Sequence, residues 1–468
     1  MKRKNSLSLR LPAQTAPSNE GAMKRHSHMN GSTQGRSNPP AGKEQPFMAE
    51  LIKAPKGTKD IVPSEVYKWH YVEGVLRTIA MQYGFEEIRF PNFEHTELFN
   101  RGIGDTTDVV QKEMYTFTDK GGRSVTLRPE GTASTVRAYL ENSLYAKGLP
   151  FKGYYIVPNY RYENVQKGRL REHHQFGVEV FGAPTPATDA EIISLADTAL
   201  KRLGIHEVKV HINSIGCPNC RPKYYDMLTG YLNQHKDSLC EDCLGRLDRN
   251  PMRILDCKQE KCKKVAENAP VALDYLCDDC REHFEKVKAY LDDMGIDYEI
   301  DTGIVRGLDY YTKTVFEFVS GNIGAQGTIC GGGRYDGLIS QLGGQATPGM
   351  GFGCGLERLI MVMEAVGAPF PEPPKTDIYL APLGDLADRP VEKLVYDLRQ
   401  LGVSAERDLV GRGLRAQMKH ADRIGARFSA VIGDGELESK VLRVKNMETG
   451  EQTETELTAD AIAAVVMA

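Results

Sequence analysis

The chain has 468 residues, of which 41% are hydrophobic and 26% charged, and its formal net charge is −4. This length corresponds to two to four domains of roughly 100–200 residues each. No uninterrupted apolar stretch approaches the ~20 residues of a membrane helix, and the charged start lacks the apolar core of a secretory signal. We therefore expect no membrane partner. A nucleic-acid partner stays open, because a local basic surface matters more than the total charge.

Residues 1–47 are polar and rich in Ser, Asn, Gly and Pro, with eight Lys or Arg and two acidic residues. They carry too little apolar surface to fold, so we predict a disordered basic extension. A basic, Ser-rich, acid-poor leader is also typical of an organelle transit peptide. We favour a disordered tail or an upstream start of the reading frame, because Met48 opens the folded region cleanly.

The first folded part alternates helical and strand patterns. Pro63-Ser64-Glu65 indicates a helix start with Ser64 as the capping residue, and Gly84 ends the helix. Apolar residues recur in it at helical spacing, namely Val66, Trp69, Val72, Leu76 and Ile79. The next predicted elements are strands at Glu87–Phe90, Ser124–Arg128 and Val208–Ile212, a hairpin over Lys152–Gly182 around the loop Asn164–Arg171, and a helix at Ala190–Leu203.

Residues 214–295, the cysteine-rich segment, are helical in pattern. Beyond them we predict a strand over Val305–Val319, a glycine-rich run over Gly331–Gly355 and a linker at Pro371, Pro373 and Pro374. From about Lys375, strands and helices alternate as in a small α/β domain. Its predicted elements are the strand Asp377–Ala381, the helix Pro390–Leu401, a strand near Ser404, the helix Gly413–Ile424 and the strand Phe428–Ile432.

The predicted hairpin carries polar side chains on matching faces. Because strand side chains alternate, Arg161 and Glu163 share one face, and Gln175, Gly177 and Glu179 share one face of the partner strand. A guanidinium can grip phosphate oxygens with two parallel hydrogen bonds, and a carboxylate can bind a ligand ammonium. The alternation alone fits a solvated edge hairpin with scattered ion pairs better than it fits a binding floor.

Two other segments carry candidate binding residues. Arg128, Glu130 and Thr132 fall at every second position, so in an extended segment their side chains would share one face. The Pro and Gly that flank Glu130 also fit a plain turn. In Arg306–Tyr311, two adjacent tyrosines of a strand would point to opposite faces, so joint binding of one ligand requires a bend, which Gly307 allows. Phenol and carboxylate groups together would satisfy a neutral imidazole, which needs one donor and one acceptor. The alternative is two half-buried strand aromatics.

Glycine occupies every second position from Gly349 to Gly355, which leaves one strand face bare enough for a planar base. Arg358 falls in the first turn of the apolar helix that follows, where a cation opposes the helix dipole. A cation placed against this preference suggests an anionic ligand such as a triphosphate. The spacing matches neither a dinucleotide-binding nor a P-loop fingerprint.

Eight of the 10 cysteines fall in the cysteine-rich segment as four closely spaced pairs. In a large chain without a signal peptide, such pairs indicate metal binding or reduced thiols rather than disulfides. Four pairs fit two tetrahedral zinc sites of four thiolates each, and eight reduced thiols in a helical domain is an equal alternative. The pairs are Cys217 with Cys220, Cys240 with Cys243, Cys257 with Cys262, and Cys277 with Cys280.

From about Met48 onward these residues resemble the class II aminoacyl-tRNA synthetases, and among them the bacterial-type histidyl enzymes. Gly84–Arg101, with Pro91, is similar to the first class motif, which forms the dimer interface. The hairpin is similar to the second motif and Gly349–Leu359 to the third. The histidine-specific signal is the pair of segments Arg306-Gly-Leu-Asp-Tyr-Tyr311 and Leu127-Arg-Pro-Glu-Gly-Thr132.

The resemblance implies an α+β fold. A catalytic domain on an antiparallel sheet would span residues 48–370, with the cysteine-rich segment as a helical insertion. An anticodon-binding α/β domain would span residues 375–468, where Arg412, Arg415, Lys419 and Arg423 are either phosphate contacts or a solvated helix face. It also implies a cytoplasmic homodimer that activates L-histidine with ATP and Mg²⁺, releases pyrophosphate, and transfers histidine to the 3′ end of tRNA(His).

The resemblance further implies roles for individual residues. Those implied for the histidine ammonium are Glu130, Thr132 and Gln175, and those for its imidazole are Glu179, Tyr310 and Tyr311. Those implied for ATP are Arg161, Glu163, Arg169 and Arg358, and the catalytic set is Arg161, Arg306 and Arg358. The competing function is a non-charging, histidine-binding regulatory relative. Such a relative should lack the anticodon-binding domain and the nucleotide-contacting positions, both of which this chain keeps.

Overall fold

The computed structural model describes residues 51–104, 107, 109–321 and 327–468. Residues 54–468 form one compact unit. The extension predicted for residues 1–47 lies outside the described residues. None of the helices in the described part of the chain has the length and apolar character that a membrane crossing requires.

Strands and helices are numbered in chain order. The strands are β1 Glu86–Glu87, β2 Phe93–His95, β3 Thr116–Thr118, β4 Ser124–Leu127, β5 Phe151–Tyr160, β6 Glu172–Phe181, β7 Lys209–Ser214, β8 Tyr298–Ile300, β9 Thr312–Val319, β10 Thr328–Arg334, β11 Gly349–Gly355, β12 Ile378–Pro382, β13 Ala405–Arg407, β14 Phe428–Ile432, β15 Val441–Asn446 and β16 Gln452–Glu456. The α-helices are α1 Pro63–Gln82, α2 Thr96–Ile103, α3 Thr132–Glu141, α4 Pro186–Arg202, α5 Arg221–Gln234, α6 Glu241–Arg246, α7 Glu260–Ala266, α8 Asp278–Asp293, α9 Leu338–Gln341, α10 Leu356–Ala365, α11 Asp385–Gln400, α12 Leu414–Arg423, α13 Asp434–Ser439 and α14 Ala459–Met467.

Helix α1 begins at Pro63, whose fixed φ and missing N–H suit the first helical position. The predicted capping by Ser64 is wrong, because Val62 precedes the helix and no side chain caps it. The predicted apolar stripe is confirmed by the burial of Trp69, Val72, Leu76 and Ile79. The helix ends at Gln82, and Gly84 turns the chain away with φ 78°.

The largest sheet has the strand order β1-β5-β6-β11-β10-β9-β7-β8. Its neighbouring strands run antiparallel, except that the edge strands β1 and β8 pair parallel with β5 and β7. The predicted hairpin is confirmed as β5 and β6, which pair from Phe151 opposite Phe181 to Tyr160 opposite Glu172. The α+β prediction is therefore confirmed, with parallel edges that the sequence patterns did not indicate.

The two faces of this sheet differ because strand side chains alternate. On one face Phe176, Val178 and Val180 of β6 are buried in an apolar core with α1, α4, α8 and α10. On the other face the intervening residues, Gln175 and Glu179, approach a polar cleft. Each Å² of apolar surface removed from water contributes about 25 cal/mol to the free energy of folding. The first face therefore stabilises the fold, and the second is available for polar chemistry.

The cysteine-rich segment lies between β7 and β8 and contains α5 to α8. Leu228 and Leu232 of α5 are buried in an apolar cluster that the segment shares with residues of the large sheet and its connections, among them Phe181 of β6 and Val315 of β9. Helix α8 packs on α4, where the Asp189 carboxylate lies 2.7 Å from His283 Nε2 and accepts hydrogen bonds from Arg334 of β10. All three side chains are buried. This network ties the last helix of the segment to the large sheet.

The C-terminal residues form a sheet of order β13-β12-β14-β15-β16. Strand β12 pairs parallel with β13 and β14, as an α/β pattern predicts, whereas β15 and β16 add antiparallel strands. Helix α11 begins at Asp385, earlier than the predicted Pro390, because the buried Ala387 packs the extra turn against the core. Pro390 inside this helix costs one backbone hydrogen bond.

Candidate functional site

A cleft of about 460 Å³ opens on the polar face of the large sheet. Its floor comes from β6, β10 and β11, and its walls come from the β5–β6 loop, the start of α3 and the loop before β9. The residues predicted from the sequence that line it are Glu130, Thr132, Arg161, Glu163, Arg169, Gln175, Arg306, Tyr310, Tyr311 and Arg358. Glu179 is buried against this lining through Thr132.

Glu179 is fully buried and accepts three hydroxyl hydrogen bonds. Its Oε1 accepts from Thr132 Oγ1 at 2.7 Å and from the Tyr155 hydroxyl at 3.0 Å, and its Oε2 accepts from the Tyr335 hydroxyl. Burial raises the pKa of Glu179 to about 8, although these donors oppose the shift. A carboxyl that keeps its proton near neutral pH can both donate and accept, as the two nitrogens of a neutral imidazole require.

Glu130 lies at the start of α3, where its carboxylate accepts hydrogen bonds from two backbone N–H groups. Thr132 N donates to Oε2 at 2.7 Å and Ala133 N donates to Oε1 at 2.8 Å. Burial raises the pKa of Glu130 above its ordinary value, against the effect of these donors. The chain bends at Pro129 and Gly131 on either side of Glu130, and the two N–H donors hold the carboxylate at the cleft.

Gln175 and Glu179 fill most of the glycine face of β11. A Cβ at Gly351 would overlap the Glu179 carboxylate, and a Cβ at Gly353 would overlap the Gln175 amide, whereas Gly355 faces open space. The glycines are therefore required by two side chains of the neighbouring strand. The bare face predicted for a planar base is wrong over this stretch and holds at Gly355.

The segment Arg306–Tyr311 is a loop before β9 and not the predicted strand. The residue with a left-handed backbone is Arg306, with φ 54°, rather than Gly307. In consequence Tyr310 and Tyr311 both line the cleft, with ring centroids 4.7 Å apart. Burial raises the pKa of both phenols, so they remain neutral hydrogen-bond donors.

The cysteine-rich segment holds this loop in place of a strand ladder. Three of its side chains, from Arg221, Asn250 and Arg253, donate to the loop. The bonds run from Arg221 to the Tyr311 carbonyl, from Arg253 Nη1 to the Arg306 carbonyl at 2.9 Å, and from Asn250 Nδ2 to Asp309 Oδ1 at 2.6 Å. These contacts join residues far apart in the chain, so the local sequence, from which a strand was predicted, could not show the loop.

The Arg306 guanidinium lies over Gly331 of β10, where a Cβ would come within 2.6 Å of Nη1. Nη1 donates to Glu317 of β9. Nε is buried with no hydrogen-bond acceptor among the described residues. A buried unpaired N–H costs about 1–3 kcal/mol, so an oxygen supplied by a ligand would remove this cost.

Three further guanidinium groups converge on the cleft from the β5–β6 loop and the start of α10. Arg161 Nε donates to the Pro129 carbonyl at 2.8 Å, and Arg169 Nη1 lies 3.2 Å from Glu163 Oε2. Arg358 Nε donates to a backbone carbonyl of the β5–β6 loop at 3.0 Å. The predicted placement of a cation in the first turn of α10 is therefore confirmed, and this end of the cleft is positively charged.

Among the residues not predicted from the sequence, His173, Glu317 and Tyr335 line the cleft, and Tyr155 is buried behind it against Glu179. Strand alternation could have predicted Tyr335, because Gly331, Gly333 and Tyr335 fall at every second position and so share one face. That face meets the cleft, since a Cβ at Gly331 would contact Arg306 and a Cβ at Gly333 would contact Tyr311. The Tyr155 ring lies where a Cβ of Gly177 would be, so this position of β6 requires glycine. Burial, with Arg161 and Arg358 nearby, lowers the pKa of His173 to about 3, so this imidazole is neutral.

The four cysteine pairs meet as two groups of four free thiols. One group joins the first pair to the last, and the other joins the two middle pairs. The groups are Cys217, Cys220, Cys277 and Cys280, and Cys240, Cys243, Cys257 and Cys262. Within each group all sulfur atoms lie within 4.8 Å of one another.

Helix α12 of the C-terminal sheet presents exposed basic side chains. Arg415, Lys419 and Arg423 lie at nearly helical spacing and are exposed. Arg412 precedes the helix instead of lying on it as predicted, and its guanidinium pairs with Asp408 at 2.8 Å.

Comparison with known proteins matches both parts of the chain. The family model described as Histidyl-tRNA synthetase matches residues 57–359, and the one described as Anticodon binding domain matches residues 377–466. The histidine–tRNA ligase of Acetivibrio thermocellus is 61% identical over 87% of this chain and 98% of the relative. That of Caldanaerobacter subterraneus subsp. tengcongensis is 56% identical over 86% and 97%.

A solved structure supports the same assignment. Apo histidyl-tRNA synthetase of Staphylococcus aureus is 40% identical, with a TM-score of 0.76 over 89% of this chain and 100% of that chain. A Bacillus halodurans protein titled ATP phosphoribosyltransferase regulatory subunit/histidyl-tRNA synthetase has a TM-score of 0.57 over 83% of this chain and 99% of that chain. At 22% identity it shows the fold alone.

Proposed function

This chain belongs to the histidyl-tRNA synthetase family, and from that premise we propose how its cleft and its C-terminal sheet divide the work. The chain is a histidine–tRNA ligase, which activates histidine with ATP and loads it onto tRNA. Relatives of that name at 53–61% identity support this function over the non-charging regulatory alternative.

The end of the cleft around Glu179 binds the histidine side chain in this proposal. The single observation that carries it is the closed set of three hydroxyls around the buried Glu179 carboxyl. Tyr310 and Tyr311 complete the wall around the imidazole. Glu130 and Gln175 take the substrate ammonium, for which a carboxylate fixed at a helix start and an amide oxygen are suitable acceptors.

The guanidinium-lined end binds ATP, which enters as its magnesium complex with the ion carried mainly by the phosphates. Arg161 binds the α-phosphate and the histidine carboxylate. Arg306 lies across the α-phosphate, and its unpaired Nε supports this assignment. Arg169 and Arg358 take the distal phosphates, with Glu163 beside the adenine.

Activation then needs no protein nucleophile. An oxygen of the histidine carboxylate forms a bond to the α-phosphorus, and the bond from that phosphorus to the bridging oxygen breaks, so pyrophosphate leaves with its electron pair. Fixed cations stabilise the charge that accumulates on the transferring group, and positioning lowers the entropic part of the barrier. In the second step a ribose hydroxyl at the 3′ end of tRNA(His) attacks the adenylate carbonyl, and AMP leaves.

Histidine-dependent exchange of pyrophosphate into ATP, followed by charging of tRNA(His), tests the proposal. Arg306→Ala should abolish exchange while calorimetric histidine binding stays near the wild-type value. Arg443→Ala is the matched control, because that arginine is exposed in β15 and pairs with Glu454. Equal loss of histidine binding in Arg306→Ala contradicts its assigned role, and absence of exchange by folded wild-type protein contradicts the function itself.

The exposed basic row of α12 contacts the phosphates of the anticodon arm in this proposal. Replacing Arg415, Lys419 and Arg423 by Ala should weaken tRNA(His) binding and reduce the slope of log K against log[salt] by up to about 0.9 per contact. Pyrophosphate exchange should not change. An unaltered salt slope would mean that this row is a solvated helix face.

The protein acts as a cytoplasmic homodimer in this proposal, since tRNA charging supplies translation. Phe93 of β2 and Phe117 of β3 are 57% and 48% exposed on one face of the small sheet β2-β4-β3, near the motif similar to the class dimer interface. Phe93→Glu should yield monomers in light scattering, and Met294→Glu, at an exposed site on the C-cap of α8, should leave the dimer intact. A dimeric Phe93→Glu protein would exclude this face.

A further inference from the structure

We propose that the two groups of four cysteines are two separate structural zinc centres, which go beyond the ligase function. The outer centre uses Cys217, Cys220, Cys277 and Cys280, and the inner centre uses Cys240, Cys243, Cys257 and Cys262. Four pairs allow several ways to combine into two sites. The fold selects one of them, in which the inner pairs are nested between the outer pairs.

The sulfur spacing fits one ion in each group. Cys217 Sγ lies 3.7 Å from Cys220 Sγ and 3.9 Å from Cys277 Sγ. In the inner centre Cys240 Sγ lies 3.8 Å from Cys257 Sγ. A tetrahedron with Zn–S bonds of about 2.3 Å has edges of about 3.8 Å. A disulfide needs sulfurs about 2.05 Å apart, so these distances describe ligands around a common centre and not oxidised pairs.

The thiol set determines the class of ion and its role. Four soft thiolates in tetrahedral array favour zinc over the oxygen-seeking ions magnesium and calcium. Because all four ligands come from the chain, no position remains open for water or substrate, so each centre is structural and not catalytic.

The backbone around each group is arranged to stabilise thiolate sulfurs. Cys240 N donates to Cys262 Sγ and Cys277 N donates to Cys220 Sγ, each at 3.2 Å. In both centres one pair straddles the start of a helix, since Cys240 precedes α6 and Cys277 precedes α8. Negative charge is favourable at a helix N-terminus, and N–H donors to ligand atoms tune and orient metal sites.

The nesting gives the centres a mechanical role. The outer centre joins the two ends of the cysteine-rich segment, across the 60 residues from Cys217 to Cys277, and the inner one fixes the short helices between them. A metal clip contributes more stabilisation the longer the loop it closes, and for zinc the binding free energy is folding free energy.

The same arrangement connects the centres to the histidine end of the cleft, an extension that rests on the proposed function. Arg221 directly follows Cys220, and Arg253 lies four residues before Cys257. These two arginines donate to the backbone of the Arg306–Tyr311 loop. Zinc loss should therefore loosen the loop that carries Tyr310 and Tyr311, without touching any atom that would bind substrate.

Metal analysis of the purified full-length protein tests the stoichiometry. We expect two zinc ions per chain by mass spectrometry, one in Cys277→Ser and one in Cys257→Ser. Cys354→Ala, a buried cysteine of β11 outside both groups, should keep two. Zinc below one ion per chain in folded wild type, iron in its place, or loss of both ions in each single variant would overturn two independent zinc centres.

A second measurement on wild type does not depend on variants that fold. Titration with a mercurial thiol reagent should release two zinc ions, detected by a chromophoric chelator, as eight thiols react. Release of no zinc would overturn the proposal. For the loop, Cys257→Ser should lower kcat/KM for histidine in pyrophosphate exchange by about 10-fold, because the loop carries Arg306 as well as Tyr310 and Tyr311. An unchanged kcat/KM in Cys257→Ser protein that has lost one zinc ion would refute the extension, while zinc content decides the centres whether or not the protein charges tRNA.

Discussion

Removal of the Tyr335 hydroxyl tests the histidine end of the cleft most directly. Tyr335→Phe keeps the ring that packs against Tyr310, at a centroid distance of 5.5 Å, and deletes one of three hydroxyl donors to Glu179. The remaining donors, Thr132 and Tyr155, both reach Oε1. The other oxygen therefore loses its hydroxyl partner altogether, and the acid is no longer fixed in one orientation.

The size of the effect follows from the charge and burial of the acceptor. A hydrogen bond to a charged group contributes about 1.5–3 kcal/mol, and one between neutral groups about 0.5–1.5 kcal/mol. Because burial raises the pKa of Glu179 to about 8, the carboxyl is mostly neutral at pH 7, and the lower part of this range applies. We expect kcat/KM for histidine to fall by about 10-fold, since about 1.4 kcal/mol corresponds to a factor of ten.

The assay is pyrophosphate exchange with histidine varied at saturating ATP and then ATP varied at saturating histidine. The loss should appear in the KM for histidine, with the KM for ATP unchanged. Tyr139→Phe is the matched control, because Tyr139 is also a buried tyrosine but packs on Phe151 and Phe181 away from Glu179. If both variants have the wild-type KM for histidine, the hydroxyl set around Glu179 does not bind the imidazole.

Three further predictions concern the cleft and its support. Burial raises the pKa of Glu179 to about 8. The contribution of the protonated carboxyl to the free energy of unfolding is therefore complete below the ordinary pKa of 4.5 and is lost as the pH rises through 8. In urea unfolding between pH 6 and 8, wild type should lose about 2 kcal/mol that Glu179→Gln does not lose. Asp189→Asn should lower the unfolding free energy by about 3–5 kcal/mol, because Arg334 would lose its fully buried counter-charge and keep only the partly exposed Asp336. Gly353→Ala should weaken histidine binding, measured by calorimetry, by about 10- to 100-fold. The new Cβ would displace the Gln175 amide, which binds the histidine ammonium in the proposed function.

Each of these has a control and a contrary outcome. Parallel pH profiles for wild type and Glu179→Gln would contradict the raised pKa. Asp336→Asn removes the other, half-exposed carboxylate partner of Arg334 and should cost less than Asp189→Asn; an equal cost would contradict the role of burial. Gly355→Ala adds a Cβ in open space, so it should leave histidine binding unchanged. Equal losses at the two glycines would contradict the displacement argument.

The elements that could be predicted from the sequence are those with strong local signals. The apolar residues from Trp69 to Ile79 predicted helix α1, because the buried face of a helix places an apolar residue at every third or fourth position. Strand β16 carried no such signal, since it is largely exposed and polar. Strand β15 was missed although its buried and exposed residues alternate. Parallel pairing at the edges could not be predicted either, because partner choice depends on contacts between residues far apart in the chain.

The site was predictable where residues lie at fixed parity in one strand, as for Gln175 and Glu179. It was not predictable where another element decides the backbone. The Arg306–Tyr311 loop has a strand-like apolar pattern, yet Arg306 adopts a left-handed conformation and the cysteine-rich segment holds the loop carbonyls. Such a conformation costs a non-glycine residue roughly 1–3 kcal/mol and persists only where surrounding contacts over-determine it.

In this structure every cation assigned to ATP already has a partner within the protein. Arg306 pairs with Glu317, Arg169 with Glu163, and Arg358 with backbone carbonyls. Because folding has already desolvated and oriented these guanidinium groups, they can stabilise a bound triphosphate with little reorganisation. The triphosphate must also compete with the carboxylates that hold these groups in place. In the proposed function, the affinity for ATP therefore depends on Glu163 and Glu317 as well as on the arginines. Through Arg221 and Arg253, the cysteine-rich segment holds the Arg306–Tyr311 loop at the edge of this cleft.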